Sequence, residues 1–289
     1  MVNLSLGTAQ FDMPYGIART SNKISFNQIA EILDFAYKNG VNTLDTAIHY
    51  GNSEEILGKI GVSDWNIITK IHSLSLDTKD PYGWVISEVE NSLKKLNVSQ
   101  LNGILLHESK LLSNKYGSLI WKALEYLKAQ NLSRNIGVSI YDPSEISNIN
   151  QDYSFDIIQA PYNVLDKRIE SSGLLERISK NNKELHVRSI FLQGLLLMDS
   201  SSRPSKFNKW NDIWSNWEEW LIRNNLSSLE ACINFACLDT RISKVIVGVD
   251  SLAQIKKIIS TVALQKKLMK FPDIQSIDED LINPSNWKQ

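Results

Sequence analysis

Four side chains with complementary chemistry stand at widely spaced points of the sequence: Asp45, Tyr50, Lys70 and His107. Asp45, Lys70 and His107 each close a short apolar run, VNTLD, NIITK and GILLH, and Tyr50 follows Asp45 within the stretch LDTAIHYGNSEEILGK. A Tyr hydroxyl ionises near pH ~10, so it serves as a general acid at neutral pH when its phenolate is stabilised. A neighbouring Lys ammonium does that, and a buried Lys stays charged when a carboxylate such as Asp45 accompanies it. A neutral His orients a carbonyl oxygen by hydrogen bonding. The set suits protonation of an alkoxide as it forms from an aldehyde or ketone, with hydride arriving from a nicotinamide. Taken singly, each residue has an ordinary reading. A strand-end Asp caps a helix, a Lys is solvated, and a His is a satisfied core group. Only convergence gives them meaning.

Convergence demands a scaffold. Eight β-rich apolar runs recur along the chain, at 3–9, 41–47, 65–71, 101–107, 135–141, 156–162, 186–191 and 244–249. Most are continuously apolar, as strands covered on both faces are. Helical patterns lie between them. Ser25–Asn39 carries Ile29, Ile32, Leu33 and Ala36 on one face, with Gly40 as its stop. Further helical patterns fall at 54–59, 83–96, 116–129, 143–149, 169–180, 212–223, 228–238 and 252–262. Strand–helix alternation throughout predicts an α/β fold, a (β/α)8 TIM barrel forming one domain over residues 1–289. In such a barrel the strand C-termini meet at one mouth, which is where Asp45, Lys70, His107, Ser139 and Gln159 fall. An open doubly wound sheet would bring a G-x-G-x-x-G turn after its first strand, and GTAQFDMPYG does not fit that pattern. Trp210, Trp214, Trp217 and Trp220 fall at helical spacing and read as a packed helix face in preference to a substrate wall.

Composition excludes several classes. The 289 residues are 43% hydrophobic with a net charge of −1, and no basic tract points to nucleic acid. No apolar run approaches the roughly 20 residues of a membrane helix, and the first residues lack a secretory pattern, so a cytoplasmic protein is expected. The two cysteines, Cys232 and Cys237, read as reduced core residues. The four histidines show no H-x-H or H-E-x-x-H spacing, so no metal is expected.

Beyond single residues, the chain resembles the aldo-keto reductase superfamily. LDTAIHYGNSEEILG is similar to its Asp-Thr-Ala-x-x-Tyr-Gly signature. IITKI, ILLHE, IGVSIY and IIQAPYNVLD resemble its lysine, histidine, Gly-Val-Ser and Gln-x-x-Tyr-Asn segments, and RSIFLQGLL and VIVGVDSLAQI its phosphate-binding segments, all in the family's order. The resemblance implies that Tyr50 is the general acid, that Lys70 lowers its pKa through a link to Asp45, and that His107 positions the carbonyl. It implies that Ser139 and Gln159 hold the nicotinamide carboxamide and that Gly7, Thr8 and Asp45 line the cofactor cleft. Residues 189–194, with Ser189, Phe191 and Gly194, would wrap the pyrophosphate. Gly248, Ser251, Gln254 and Lys257 would face the adenosine phosphate. Phe11, Tyr15 and His49 are expected toward a small carbonyl or alcohol substrate. NADP(H) is the expected cofactor, with NAD(H) second, and a monomer is expected, with a dimer second.

The chain departs from the family pattern at three places. Ile140 replaces the Asn that usually follows the Gly-Val-Ser serine. Arg188 replaces a Tyr that stacks on the nicotinamide in many members, which brings a planar cation there. Gln254 stands where many members place an Arg for the 2′-phosphate, with Lys256 and Lys257 nearby. Two other readings compete. A Schiff-base aldolase would use Lys70 as nucleophile but leaves Tyr50 and segment 189–194 without roles. A regulatory subunit would bind cofactor without turnover.

Overall fold

Eight parallel strands close into a barrel in the computed structural model, which describes residues 4–13, 16–17, 23–75, 77–149, 153–264 and 270–287. They are β1 (Leu4–Gly7), β2 (Thr43–Asp45), β3 (Asn66–Ile71), β4 (Leu101–Leu106), β5 (Ser133–Ser139), β6 (Ile157–Pro161), β7 (Glu184–Arg188) and β8 (Lys244–Gly248). Each pairs with its successor, and β8 returns to β1, so no strand edge is left open. The register sets Gly7 beside both Asp45 and Gly248, Ser139 beside Gln159, and Pro161 beside Arg188. One rim therefore gathers the strand ends singled out above. This is the (β/α)8 architecture expected from the alternation.

The continuous apolar runs have a direct cause. Ile67, Ile68 and Ile71 on β3 and Ile104, Leu105 and Leu106 on β4 are all buried, because the strands are covered on both faces. Ile68, Leu105 and Ile157 form a cluster of their own in the barrel interior. Gly103 makes room for it, since a methyl there would lie 2.8 Å from Ile68 Cδ1 and 2.9 Å from Ile157 Cδ1. The lumen is a packed core, and chemistry is confined to the rim.

Outside the sheet, the helix Phe26–Lys38 begins at Ser25, which forms a capping box with Gln28, and it buries Ile29, Ile32, Leu33 and Ala36. The helices Ser53–Ile60 and Pro81–Leu96 pack closely, because Gly58 sits directly against the Lys95 carbonyl. A second core lies beneath the helix Asn211–Asn224. Trp214, Trp217 and Trp220 are buried there with Leu192, Leu195, Leu196 and Ile274. Their indole N–H groups donate to the backbone carbonyls of Phe207 (2.9 Å), Leu196 (3.4 Å) and Lys270 (3.2 Å). The tryptophan stripe is a packed face, as its spacing predicts. Cys232 and Cys237 are free thiols, and burial holds both above their ordinary pKa.

Several expected elements are shorter than their patterns or divided. The run 186–191 reads as strand throughout, but β7 stops at Arg188 and Ser189 turns to φ 59°. The pattern 169–180 divides into Arg168–Ser171 and Leu174–Lys180, because Gly173 adopts φ 73° between them. The pattern 143–149 keeps only the turn Ser144–Ser147.

Candidate active site

Asp45, the last residue of β2, is 4% exposed, and Lys70 on the neighbouring β3 is 1% exposed. Lys70 Nζ lies 2.6 Å from Asp45 Oδ1 and also donates to the Thr46 carbonyl at 2.9 Å. The other carboxylate oxygen, Asp45 Oδ2, accepts from Gln159 Nε2 at 2.7 Å. Ser139 Oγ reaches Gln159 Oε1 at 3.5 Å. Side chains from β2, β3, β5 and β6 thus form one buried polar chain. Burial is the main force holding the Lys70 ammonium below its ordinary pKa, and the Asp45 charge opposes it.

Tyr50 caps this chain toward solvent. Its ring centroid is 5.3 Å from Lys70 Nζ and 5.9 Å from that of His107, which meets it edge-on. His107 follows β4 directly, its N–H donating to the Ile71 carbonyl at 2.8 Å. Burial, reinforced by the charges of Lys70 and Arg188, drives the His107 pKa down to about 3, so the ring is neutral. His49 continues the ring contacts outward, 5.7 Å from His107 and 4.9 Å from His72. His72 in turn packs edge-on against Trp84 at 5.7 Å, and its Nδ1 is buried without a hydrogen-bond partner among the described residues.

The turn that carries Tyr50 is pinned by a residue with no sequence signal. Asp12 Oδ2 accepts from Asn52 N at 2.7 Å and from Asn52 Nδ2 at 2.9 Å. Gly51, at φ 57°, passes so close to Asp12 that a side chain there would collide with the carboxylate. The bond from Lys23, then that from the Asn52 backbone, hold the Asp12 pKa below its usual range.

A cleft of about 400 Å³ runs from Tyr50 and Asp45 past β7 to the helix Leu252–Ala263. Gly7, Thr8, Arg188, Ser189, Phe191, Gly194, Gly248, Gln254 and Lys257 line it. Ser251 does not; its hydroxyl caps the helix by accepting from Gln254 N at 3.3 Å. Lys256 turns away and lies over the Phe35 ring at 5.3 Å. His107, Ser139 and Gln159 border the Tyr50 end without lining the cleft. Phe11, expected toward substrate, is instead fully buried, because the turn Ala9–Asp12 points it into the core. Tyr15 lies outside the described residues. Gln10, which carries no sequence signal, lines the cleft and covers Gly248, where any larger residue would strike its amide.

The wall of the cleft between Ser189 and Gly194 has unusual backbone. Ser189, Leu192, Gln193 and Gly194 have φ of 59°, 47°, 53° and 93°. Left-handed conformation in Leu and Ser is costly and persists where surrounding packing enforces it. Here Asn163 Nδ2 donates to the Ser189 carbonyl at 3.0 Å and the second core holds Leu192, Leu195 and Leu196. The backbone changes from right-handed at Phe191 (φ −103°) to left-handed at Leu192, Gln193 and Gly194, the kind of change that makes a backbone concavity suited to an anion. Such a wall, with Gly7 and Gly194 permitting close approach, fits a dinucleotide.

Comparison with known proteins agrees with this geometry. The model of the aldo/keto reductase family matches residues 3–279. The chain is 25% identical over 279 residues to the uncharacterized oxidoreductase YqkF of Bacillus subtilis (strain 168), covering 87% of this chain and 88% of that protein. It is 26% identical over 194 residues to glyoxal reductase of the same organism, covering 64% and 66%. The structure superimposes on the aldo-keto reductase AKR11C1 from Bacillus halodurans with a TM-score of 0.74 at 20% identity, over 93% of this chain and 88% of that one.

Proposed function

The chain belongs to the aldo/keto reductase family, and from that premise we propose that it reduces an aldehyde or ketone with NADP(H), Tyr50 delivering the proton. The observation that carries the reading is the buried Lys70–Asp45 pair beneath Tyr50, at the end of a cleft whose far wall suits an anion. A bound nicotinamide supplies hydride to the carbonyl carbon. Tyr50 gives its hydroxyl proton to the carbonyl oxygen as the alkoxide develops. The Lys70 ammonium stabilises the phenolate left behind, and Asp45 keeps that ammonium charged. Neutral His107 orients the carbonyl oxygen from the side of β4. Gln159 fixes the Asp45 carboxylate, with Ser139 bonded behind it, and the two stand at the Tyr50 end where a carboxamide would be received. The segment 189–194 holds the pyrophosphate, and Lys257 with Gln254 reads the adenosine end. Every group in this scheme comes from one chain, so a monomer suffices.

A Schiff-base role for Lys70 fits poorly. Its Nζ is engaged by Asp45 and Thr46, and a nucleophilic amine needs its lone pair free. The test is direct. Titration with NADPH and NADH, followed by turnover of the bound complex on small aldehydes and ketones, is expected to give micromolar NADPH binding and carbonyl-dependent oxidation of the cofactor. Absence of binding by either nucleotide would overturn the reading.

A further inference from the structure

We infer that Arg188 makes the cleft discriminate by charge between the two redox states of the nicotinamide, favouring the neutral reduced form over the cationic oxidised form. This rests on the cofactor reading above.

The geometry gives Arg188 a fixed place. It ends β7 and lines the same cleft as Tyr50 and Asp45. Its guanidinium carbon lies 4.4 Å from the centroid of the Tyr141 ring, and its Nη2 donates to the Ile140 carbonyl at 3.0 Å. Nη1 reaches Ser189 Oγ at 3.4 Å. The loop that presents Tyr141 and Ile140 is anchored in turn by Arg168. That residue donates to the Tyr141 carbonyl at 3.1 Å, forks onto Asp166 with two bonds of 2.9 Å, and bonds Asp142 at 2.8 Å. A planar cation is held by neutral acceptors on a braced loop.

Its charge is not neutralised. Among the described residues Arg188 makes no ion pair, whereas Arg168, Arg203 and Arg241 each hold a carboxylate. Asp45, which shares the cleft wall, is already bonded to Lys70 and Gln159. Burial is the main cause of the lowered His107 and Lys70 pKa values, and the field of Arg188 adds to both. The charge is therefore felt where the carbonyl would react.

Loss of hydride turns a neutral ring into a cationic one. A fixed guanidinium in a half-buried cleft repels the cation and leaves the neutral ring unaffected. The oxidised cofactor then binds more weakly and leaves sooner, which favours turnover toward reduction.

The test is a pair of dissociation constants, for NADPH and NADP+, measured by calorimetry on the wild type, Arg188→Gln, Arg188→Tyr and Arg188→Lys. The wild type is expected to bind NADPH at least about tenfold more tightly than NADP+. Arg188→Gln and Arg188→Tyr should narrow that ratio about fivefold or more, chiefly through tighter NADP+, while Arg188→Lys keeps it within about twofold. A wild-type ratio near unity overturns the inference without reference to any variant's folding. So does an unchanged ratio in a neutral variant that melts normally. If the wild type binds neither nucleotide, the proposed function itself fails, which is a separate result.

Discussion

Lys70 and Asp45 form a buried ion pair 2.6 Å long, and among the described residues Asp45 has no other cation among its hydrogen-bond partners. Removing one partner of such a pair leaves a buried charge uncompensated. Lys70→Met should destabilise the fold by about 3–5 kcal/mol. Adding Asp45→Asn should restore much of that loss, because the charge is removed while the bond from Gln159 can persist. Urea unfolding of the two variants tests both halves. Equal stability of the single variant and the wild type would mean that the pair is not what holds the rim.

Tyr50→Phe removes the proposed proton donor and little else. Carbonyl reduction should fall by about a thousandfold, in keeping with the usual contribution of a general acid. NADPH affinity should stay within about twofold, since the segment 189–194 and Lys257 are untouched. Steady-state kinetics and a binding titration on one preparation separate the two effects. Preserved turnover would remove Tyr50 from its role.

His107 predicts the acid side of the stability profile. Its folded pKa of about 3 lies below the ordinary histidine value of 6.5, so the unfolded chain binds more protons between those two values. Its contribution is complete above pH ~6.5 and is lost progressively as pH falls toward about 3. His107→Asn should flatten that slope in urea melts at pH 7, 6, 5 and 4. An identical slope in both proteins would assign the acid sensitivity elsewhere.

Asp12 predicts a split between catalysis and stability. Asp12→Ala frees the turn at Gly51 and Asn52 that carries Tyr50. Stability should drop by only about 1–2 kcal/mol, the scale of losing a bond to a charged group. Turnover should fall about ten- to a hundredfold, because a donor displaced by an ångström is poorly aligned. Asp12→Asn, which can still accept from Asn52, should recover part of the rate.

Much of this site is legible in the sequence because the strands announce their own ends. An apolar run that stops at Asp45, Lys70 or His107 marks a strand terminus, and closed parallel topology then brings those termini to one rim. The helix stop at Gly40 and the tryptophan spacing are equally local signals. What escapes is set by contacts distant in sequence. Asp12 and Gln10 sit in an ordinary stretch and matter only because Asn52 and Gly248 come to meet them. Phe11 looks available for substrate until one turn of helix buries it. Strand seven looks longer than it is because an extended pattern and a left-handed turn at Ser189 use the same residue types. Lys256 and Lys257 are neighbours in the chain, yet only Lys257 reaches the cleft.

The tryptophan helix has a consequence for the order in which the protein can mature. All eight strands are complete once Gly248 has been made. The turn at 192–197 leans on Trp217, however, and the helix bearing Trp217 is itself held from behind by Lys270, Ile274 and Leu281. Ser276 reaches further, donating its backbone N–H to the Leu165 carbonyl at 2.8 Å. During synthesis a chain can therefore complete its strands while the wall proposed for the pyrophosphate still lacks its backing. The backing is completed only by the residues around 270–282, some tens of amino acids beyond the last strand, so the proposed binding wall is the last part of the fold to be braced.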